Sequence, residues 1–285
     1  MKMIFKTVLT ISLLSSATVL YAQQEEAERA SSIGDLNAEL GIEFAEMAQG
    51  NGHAVAPVDF TVTWVCMVNE DWRFRMVTPQ IVDFANIPEN EAAREFAMEW
   101  RPELDVGNEC RAYGAPAIMH EPGRIKISWE DDLTLKLEFD AGHQVRYLHF
   151  NPNAQAGQPS RQGHSLARWE RPRGQQISPV IANTVPIGQQ FPRTEGVSNA
   201  LQVFTDNIVS GYLRKNGIPH SDQVEVREYF DLITIPDGSE WLIVNIVVED
   251  PVYLEAPWIT SMNFKKESDD SKWNPQDCFV TNPGW

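Results

Sequence analysis

The stretch RIKISWEDDLTLKLEFDAGHQVRYLHF, residues 124–150, decides the fold. Ile125, Ile127 and Trp129 alternate with polar residues, and a second alternating run extends from Leu133 to Phe139. A period of two residues predicts half-buried antiparallel strands with one face in water. Turns at residues 130–132 and 140–143 would join the two runs to each other and to a third strand, QVRYLHF.

The same period continues on both sides of this stretch. We expect DWRFRMVT, residues 71–78, to pair as a strand with the one before it, and IPENEAAREFAMEW, residues 87–100, to form a short helix. The other predicted strands are DFTVTWVCMV at 59–68, SLARWE at 165–170, NALQVFTDN at 199–207, VEVREYFDLITI at 224–235, EWLIVNIVVED at 240–250 and PWITSMNFKK at 257–266.

Nine or ten strands with few helices predict an all-β fold. Successive hairpins favour an antiparallel meander, and closing the meander into a lipocalin-like β-barrel would remove its exposed edges. The alternative is a two-sheet β-sandwich. We expect short helices and an N-terminal arm beside the barrel.

The N-terminal residues predict an exported protein. Lys2 and Lys6 precede the apolar run TVLTISLLSSATVLYA, which has the form of a signal peptide over residues 1–22. A polar arm with a helix near residues 35–48 would occupy 23–56, and one barrel-like domain would occupy 57–285. Residues 171–199, rich in proline and glycine, interrupt that domain as a loop insertion. The predicted location is the periplasm or the extracellular medium.

Charge and motif content exclude several classes of function. The net charge of −17 disfavours nucleic acid, whose phosphates it would repel. After residue 22, no apolar run is long enough to predict a membrane span. The sequence lacks H-x-x-x-H, H-E-x-x-H, C-x-x-C, G-x-G-x-x-G and P-loop patterns, so we expect neither a metal nor a cofactor.

Three cysteines allow one disulfide, in three possible pairings. Cys66 lies in the apolar run VTWVCMV and resembles a buried core residue. Cys110 and Cys278 lie in polar, loop-like sequence. We therefore favour a Cys110–Cys278 bond, which would attach the C-terminal tail to the domain.

The segment GHSLA, residues 163–167, differs by one residue from the G-x-S-x-G nucleophile elbow of serine hydrolases. An elbow requires a strand before the serine and a helix after it. Here a Pro/Gly/Gln loop precedes Ser165, and Pro172 ends the segment that follows. His164 and Ser165 are adjacent on an extended strand and so face opposite sides. We predict that Ser165 is not a nucleophile.

Aromatic and charged side chains supply the candidate binding residues. The segment SGYLRKNGIPHS, residues 210–221, is either a solvated turn or a cationic lip at a barrel mouth, where it would steer an anionic or carbonyl ligand. Large aromatic residues of a barrel either fill its interior or line a cavity. The predicted ligand-binding residues are Trp72, Arg73, Arg75, Trp129, Tyr147, Arg214, Lys215, His220 and Asn245.

Two functions from different classes fit these features. One is the binding of a small, largely apolar molecule by the barrel, with charged loops at its mouth. The alternative is a lyase, isomerase or hydrolase that uses a carboxylate–histidine pair in the barrel cavity, with Glu130, His149, Tyr212 and Glu228 as candidates. We favour binding, because no catalytic motif has the sequence context it requires.

Several stretches together resemble a family of secreted proteobacterial β-rich proteins with no established activity. They are EDWRFRMVTP, CRAYGAPAIM, PGRIKISWEDDLTLKLEFDAG, GYLRKNGIPHS, EYFDLITIPDGSEWLIVNIVVEDPVYLEAPWITS and FKKE followed by KWNPQDC. The resemblance covers most of residues 57–278 and implies one secreted domain with a role for Cys110 and Cys278. It implies no catalytic residues, and residues 172–199 depart from its pattern.

Overall fold

The computed structural model describes residues 52–81, 83–169 and 200–280. The predicted signal peptide, the helix near residues 35–48 and the insertion at 171–199 lie outside these residues. The described α-helices are α1 (Trp72–Met76), α2 (Glu91–Glu99) and α3 (Ala115–Ile118), and short 3-10 helices cover His53–Val55, Pro102–Asp105 and Glu109–Ala112. The strands are β1 (Thr63–Met67), β2 (Arg124–Asp131), β3 (Thr134–Phe139), β4 (Val145–His149), β5 (His164–Trp169), β6 (Ala200–Asp206), β7 (Gly211–Tyr212), β8 (Pro219–His220), β9 (Glu225–Thr234), β10 (Glu240–Glu249) and β11 (Trp258–Lys266).

Nine of these strands form a closed barrel, in the order β1-β11-β10-β9-β6-β5-β4-β3-β2. The predicted all-β barrel is therefore confirmed, and the sandwich is not needed to explain the strands. The barrel closes where β1 pairs with β11, with Trp64 opposite Lys266. β7 and β8 form a separate two-stranded sheet.

Side chains from alternate positions of the strands fill the interior of the barrel. In β5, Ser165, Ala167 and Trp169 are buried while the intervening residues are partly exposed, as the alternation predicts. In the same way, one face of each barrel strand contributes to a single hydrophobic core that includes residues of all nine strands. The interior is thus a packed core, as is usual for a barrel of about this many strands.

One pair of neighbouring strands departs from the predicted antiparallel meander. β4 and β5 are parallel, with Leu148 opposite Ser165, whereas the other eight neighbouring pairs are antiparallel. The loop at residues 150–163 causes this, because it carries the chain back along the barrel before β5 begins. Ser160, near the end of that loop, bridges to Ile208 beyond the end of β6.

The prediction of a strand at residues 71–78 is wrong, because Trp72–Met76 form helix α1. β1 already has a partner on each edge, β2 and β11, so no edge is free for another strand. Asp71 adopts the left-handed conformation at φ 50°. Its carbonyl oxygen accepts hydrogen bonds from the backbone N–H groups of Phe74 and Arg75, and these bonds start the helix.

The segment at residues 210–221 is not a solvated turn. It forms the β7–β8 sheet, in which Tyr212 and His220 are buried. Tyr212 packs edge-on against Trp100, with 6.3 Å between ring centroids. The segment therefore belongs to the packed structure outside the barrel strands. The 3-10 helix Glu109–Ala112, which carries Cys110, also belongs to it.

The predicted Cys110–Cys278 disulfide is confirmed. It joins residues separated by 168 positions and attaches the C-terminal tail to the 3-10 helix Glu109–Ala112. Cys66 is a buried free cysteine, as predicted. No helix among the described residues is long and apolar enough to cross a membrane.

Candidate functional site

A cleft of about 630 Å³ lies at the end of the barrel where β2 begins and β3 ends. Its walls come from five parts of the chain: the α1 region, the segment before β2, the turn between β3 and β4, the loop between β7 and β8, and the C-terminal tail. The lining residues are Asp71, Phe74, Arg75, Met76, Val77, Thr78, Pro79, Tyr113, His120, Glu121, Pro122, Gly123, Arg124, Asp140, Ala141, Leu213, Arg214, Lys215, Asn274, Gln276 and Phe279.

Arg75 is the first of three cationic residues in the cleft that the sequence predicted to bind ligand. Its Nε donates to the backbone carbonyl of His120 at 2.9 Å, and its Nη2 lies 2.7 Å from the sulfur of Cys66. Its Nη1 is buried, and nothing accepts a hydrogen bond from it in the described part of the chain. These contacts fix the guanidinium at the cleft without neutralising its charge.

Arg214 is the second cationic residue, and only 9% of its surface is exposed. Its Nη1 donates to the carbonyl of Phe84 at 3.3 Å, and its Nη2 donates to the side-chain oxygen of Asn86 at 2.6 Å. The guanidinium carbon lies 4.8 Å from the centroid of Phe74. Burial lowers the pKa of Arg214 to about 10, so the group stays charged at neutral pH.

Lys215 is the third cationic residue, and it has a carboxylate partner. Its Nζ lies 2.5 Å from Oε2 of Glu121. The same ammonium lies over the rings of Tyr113 and Phe279, at 4.7 and 4.4 Å from their centroids. Lys215 therefore ties the segment before β2 to the C-terminal tail.

The C-terminal tail forms one wall of the cleft and is held by several contacts. The backbone N–H of Gln276 donates to the carbonyl of Asp140 at 2.7 Å. Cys278 is covalently bound to Cys110, and Phe279 packs edge-on against Tyr113. The disulfide thus lies directly before the aromatic residue that lines the cleft.

His120 lies against the inner side of the cleft and is electrically neutral. Its ring stacks on Trp258 with 4.6 Å between centroids, and its Nε2 lies 2.9 Å from the hydroxyl of Thr260. Burial lowers its pKa to about 3, and the charges of Arg75 and Arg214 act in the same direction. Both ring nitrogens have hydrogen-bond partners, so the ring is held in place, and the backbone carbonyl of His120 accepts the bond from Arg75.

The structure places the other predicted ligand-binding residues away from this cleft. Trp129 faces inward near the far end of β2 and stacks on His53 with a centroid separation of 4.7 Å. His220 is buried in β8, where its Nδ1 lies 3.0 Å from the carbonyl of Ser221. Four residues are exposed and do not line the cleft: Trp72, Arg73, Tyr147 and Asn245.

The four candidate catalytic residues lie in different places. Glu130 is exposed on β2, 3.7 Å from Lys136. His149 lies on the outer face of β4, where it stacks on His164. Tyr212 is buried, and its hydroxyl donates to Asp105 at 3.1 Å. The structure therefore brings none of these three together with the fourth, Glu228.

Glu228 lies inside the barrel and pairs with an arginine instead of a histidine. Its two carboxylate oxygens accept hydrogen bonds from Nη1 and Nη2 of Arg146 at 2.9 and 2.6 Å. The hydroxyl of Thr205 accepts a bond from the same Nη2, and the hydroxyl of Ser165 lies 2.8 Å from that of Thr205. Ser165 therefore takes part in a buried polar network next to a charge pair.

Sequence reasoning missed most of the cleft residues, including Phe74, Glu121 and Phe279. Phe74 lies in residues 71–78, for which alternation predicts a strand, and Glu121 and Phe279 lie in segments without periodicity. Strand alternation places Glu228 on the same face as Phe230 and Leu232, but its partner Arg146 is 82 positions away in sequence. Within residues 52–81, 83–169 and 200–280, no three His, Cys, Asp or Glu side chains are placed to hold a metal ion.

Comparison of the chain with protein families, curated proteins and solved structures finds no match. The resemblance to secreted proteobacterial proteins stays a prediction.

Proposed function

We propose that this protein binds a small, largely apolar molecule in the cleft at the end of the barrel. One observation carries the proposal: a cleft of about 630 Å³ combines apolar side chains with converging charged and polar groups. That combination and size are typical of small-molecule sites. The apolar residues that line the cleft and are at least partly exposed include Phe74, Met76, Val77 and Phe279.

The packed barrel interior favours the cleft over the barrel itself as the binding place. Side chains of all nine strands meet there in one core, and the most buried include Trp64, Phe230 and Phe264. A ligand inside the barrel would have to displace these side chains, whereas a ligand in the cleft would cover surface that is now open.

A periplasmic or extracellular location is part of the proposal. The Cys110–Cys278 disulfide supports it, because structural disulfides persist mainly in oxidising compartments. Mass spectrometry of small molecules that co-purify from such a compartment would identify the native ligand.

Binding can be tested with phenylnaphthylamine, a neutral apolar probe that fluoresces in apolar surroundings. We expect the wild-type protein to bind it with saturation. The substitution Val77→Trp would fill the cleft from an exposed position and should weaken binding at least about tenfold, or ~1.4 kcal/mol. The matched control is Val145→Trp on the outer face of β4, which should leave binding unchanged. Equal affinities for the two variants would overturn the cleft as the site.

A further inference from the structure

We infer that the ligand of this cleft carries an oxyanion head group and that Arg75 and Arg214 bind it. The inference rests on the proposed function and adds the chemical class of the ligand. A carboxylate, a sulfonate and a phosphate monoester share the chemistry in question, since each presents two or more oxygens to a guanidinium.

These two arginines differ from the other cations of the cleft in that no carboxylate among the described residues is paired with them. Lys215 is paired with Glu121 at 2.5 Å, and Arg124 donates to Glu267 at 3.1 Å. Among the described residues, no carboxylate lies within 4.0 Å of the guanidinium of Arg75 or Arg214. Both groups bond only to neutral atoms, namely backbone carbonyls, an amide oxygen and a thiol.

Burial makes this lack of a directly bonded carboxylate significant, although the charges of Asp71, Asp83 and Glu89 act on Arg214 from beyond 4.0 Å. Arg214 is nine-tenths buried, and Arg75 has a buried Nη1 with no acceptor among the described residues. A buried charge is costly unless it is paired. A bound oxyanion would pair with both groups and give the orphaned donor an acceptor.

The two guanidinium groups converge on the same part of the cleft. Arg75 bonds to the backbone of His120, and Arg214 lies 5.7 Å from the ring of Trp258, on which His120 stacks. Their charges also act together on His120. Phe74 lies beneath Arg214, so an apolar wall begins directly beside the cationic pair. This arrangement suits an amphipathic anion with its head group at the arginines and its apolar part along Phe74 and Phe279.

Two probes that differ only by a charged group test the inference. Anilinonaphthalene sulfonate has the apolar framework of phenylnaphthylamine with a sulfonate added. We expect the wild-type protein to bind the sulfonate at least about tenfold more tightly than the neutral probe, because charge-assisted hydrogen bonds are strong in a buried site. Arg75→Gln should reduce this ratio by about tenfold, and Arg75→Lys should preserve part of it.

The control variant is Arg101→Gln, which removes an exposed cation outside the cleft and should leave the ratio unchanged. Circular dichroism and thermal unfolding would verify that each variant is folded. Arg214→Gln is the second test. Its ratio of probe affinities is compared with that of the wild type if the variant unfolds in one cooperative transition. Competition of the sulfonate by decanoate and by decyl phosphate then shows which oxyanion the pair prefers.

The possible results distinguish a failure of the oxyanion inference from a failure of the proposed function. If the neutral probe binds, Val77→Trp blocks it and the ratio of affinities is near one, the oxyanion inference is wrong while the proposed function stands. If neither probe binds in the cleft, both are wrong. If Arg75→Gln and Arg101→Gln change the ratio equally, the arginines do not form the head-group site.

Discussion

Arg146 and Glu228 form a charge pair that is 1% and 0% exposed inside the barrel. Removing one partner leaves the other charge buried and unpaired, which is more damaging than removing both. We expect Arg146→Met to lower the free energy of unfolding by about 3–5 kcal/mol in urea denaturation at pH 7. The double variant Arg146→Met/Glu228→Leu should be more stable than the single one. A double variant that is less stable than Arg146→Met would contradict this account of the pair.

Ser165 belongs to the same network and is 2% exposed. Its hydroxyl faces Thr205 and Arg146, while the adjacent His164 stacks on His149 outside the barrel. Without an adjacent base or access to solvent, Ser165 should not react with a fluorophosphonate probe. We expect Ser165→Ala to lower the free energy of unfolding by about 1 kcal/mol, the value of one hydrogen bond. Labelling that disappears in the alanine variant would restore the hydrolase hypothesis.

At the scale of single elements, alternation predicted most of the barrel strands. β2 and β3, for example, place Ile125, Ile127, Leu135 and Leu137 in the core as the pattern requires. Alternation failed at Trp72–Met76, since side-chain period alone does not reveal that both edges of β1 are occupied. It also does not specify strand direction, so the parallel pairing of β4 with β5 could not be predicted.

In β8, His220 gives the fold a pH dependence that can be measured. Burial lowers its pKa to about 4, and an unfolded histidine titrates near 6.5. The unfolded chain therefore binds more protons between these values, so the stability contributed by neutral His220 is present above about pH 6.5 and is lost as pH falls. The expected loss is about 1.4 kcal/mol for each pH unit within that window.

The substitution His220→Gln isolates this contribution, because an amide can also donate to the carbonyl of Ser221 but does not titrate. Between pH 7 and pH 5, the free energy of unfolding should fall by about 2 kcal/mol less in the variant than in the wild type. Other groups with shifted pKa values, such as Asp140 and Glu225, contribute to both proteins alike. An identical fall in the two proteins would mean that His220 is protonated in the folded state.

At the scale of the whole molecule, the Cys110–Cys278 disulfide connects stability to the cleft. A loop of 168 positions gives the bond an upper contribution of about 5 kcal/mol to the free energy of unfolding. The bond also holds Phe279, the next residue of the tail, at the cleft. We expect the double variant Cys110→Ser/Cys278→Ser to unfold at lower urea concentration and to bind phenylnaphthylamine more weakly. Unchanged probe affinity in the folded double variant would show that the tail keeps its place without the bond.

The cleft could be predicted from the sequence only in part. The sequence predicts three cations of the cleft as ligand-binding residues: Arg75 in a predicted strand, and Arg214 and Lys215 in a predicted loop. Their convergence depends on long-range packing, which brings residues near 75, 120, 214 and 279 to one end of the barrel. Local periodicity carries no information about such packing. The pairing of Lys215 with Glu121, which distinguishes Lys215 from the two arginines, could not be predicted from the sequence either.

The pairing of β1 with β11 has a consequence for the time course of folding. Trp64 and Lys266 are opposite each other although almost the whole described chain separates them. During synthesis, β1 has only one of its two partners until residues 258–266 have emerged, and β10 is likewise without β11. Contacts between such distant residues form slowly, and unpaired strand edges associate with other chains. The final barrel therefore assembles only after synthesis of its last strand, and a chain that ends before Trp258 would have two open edges prone to aggregation.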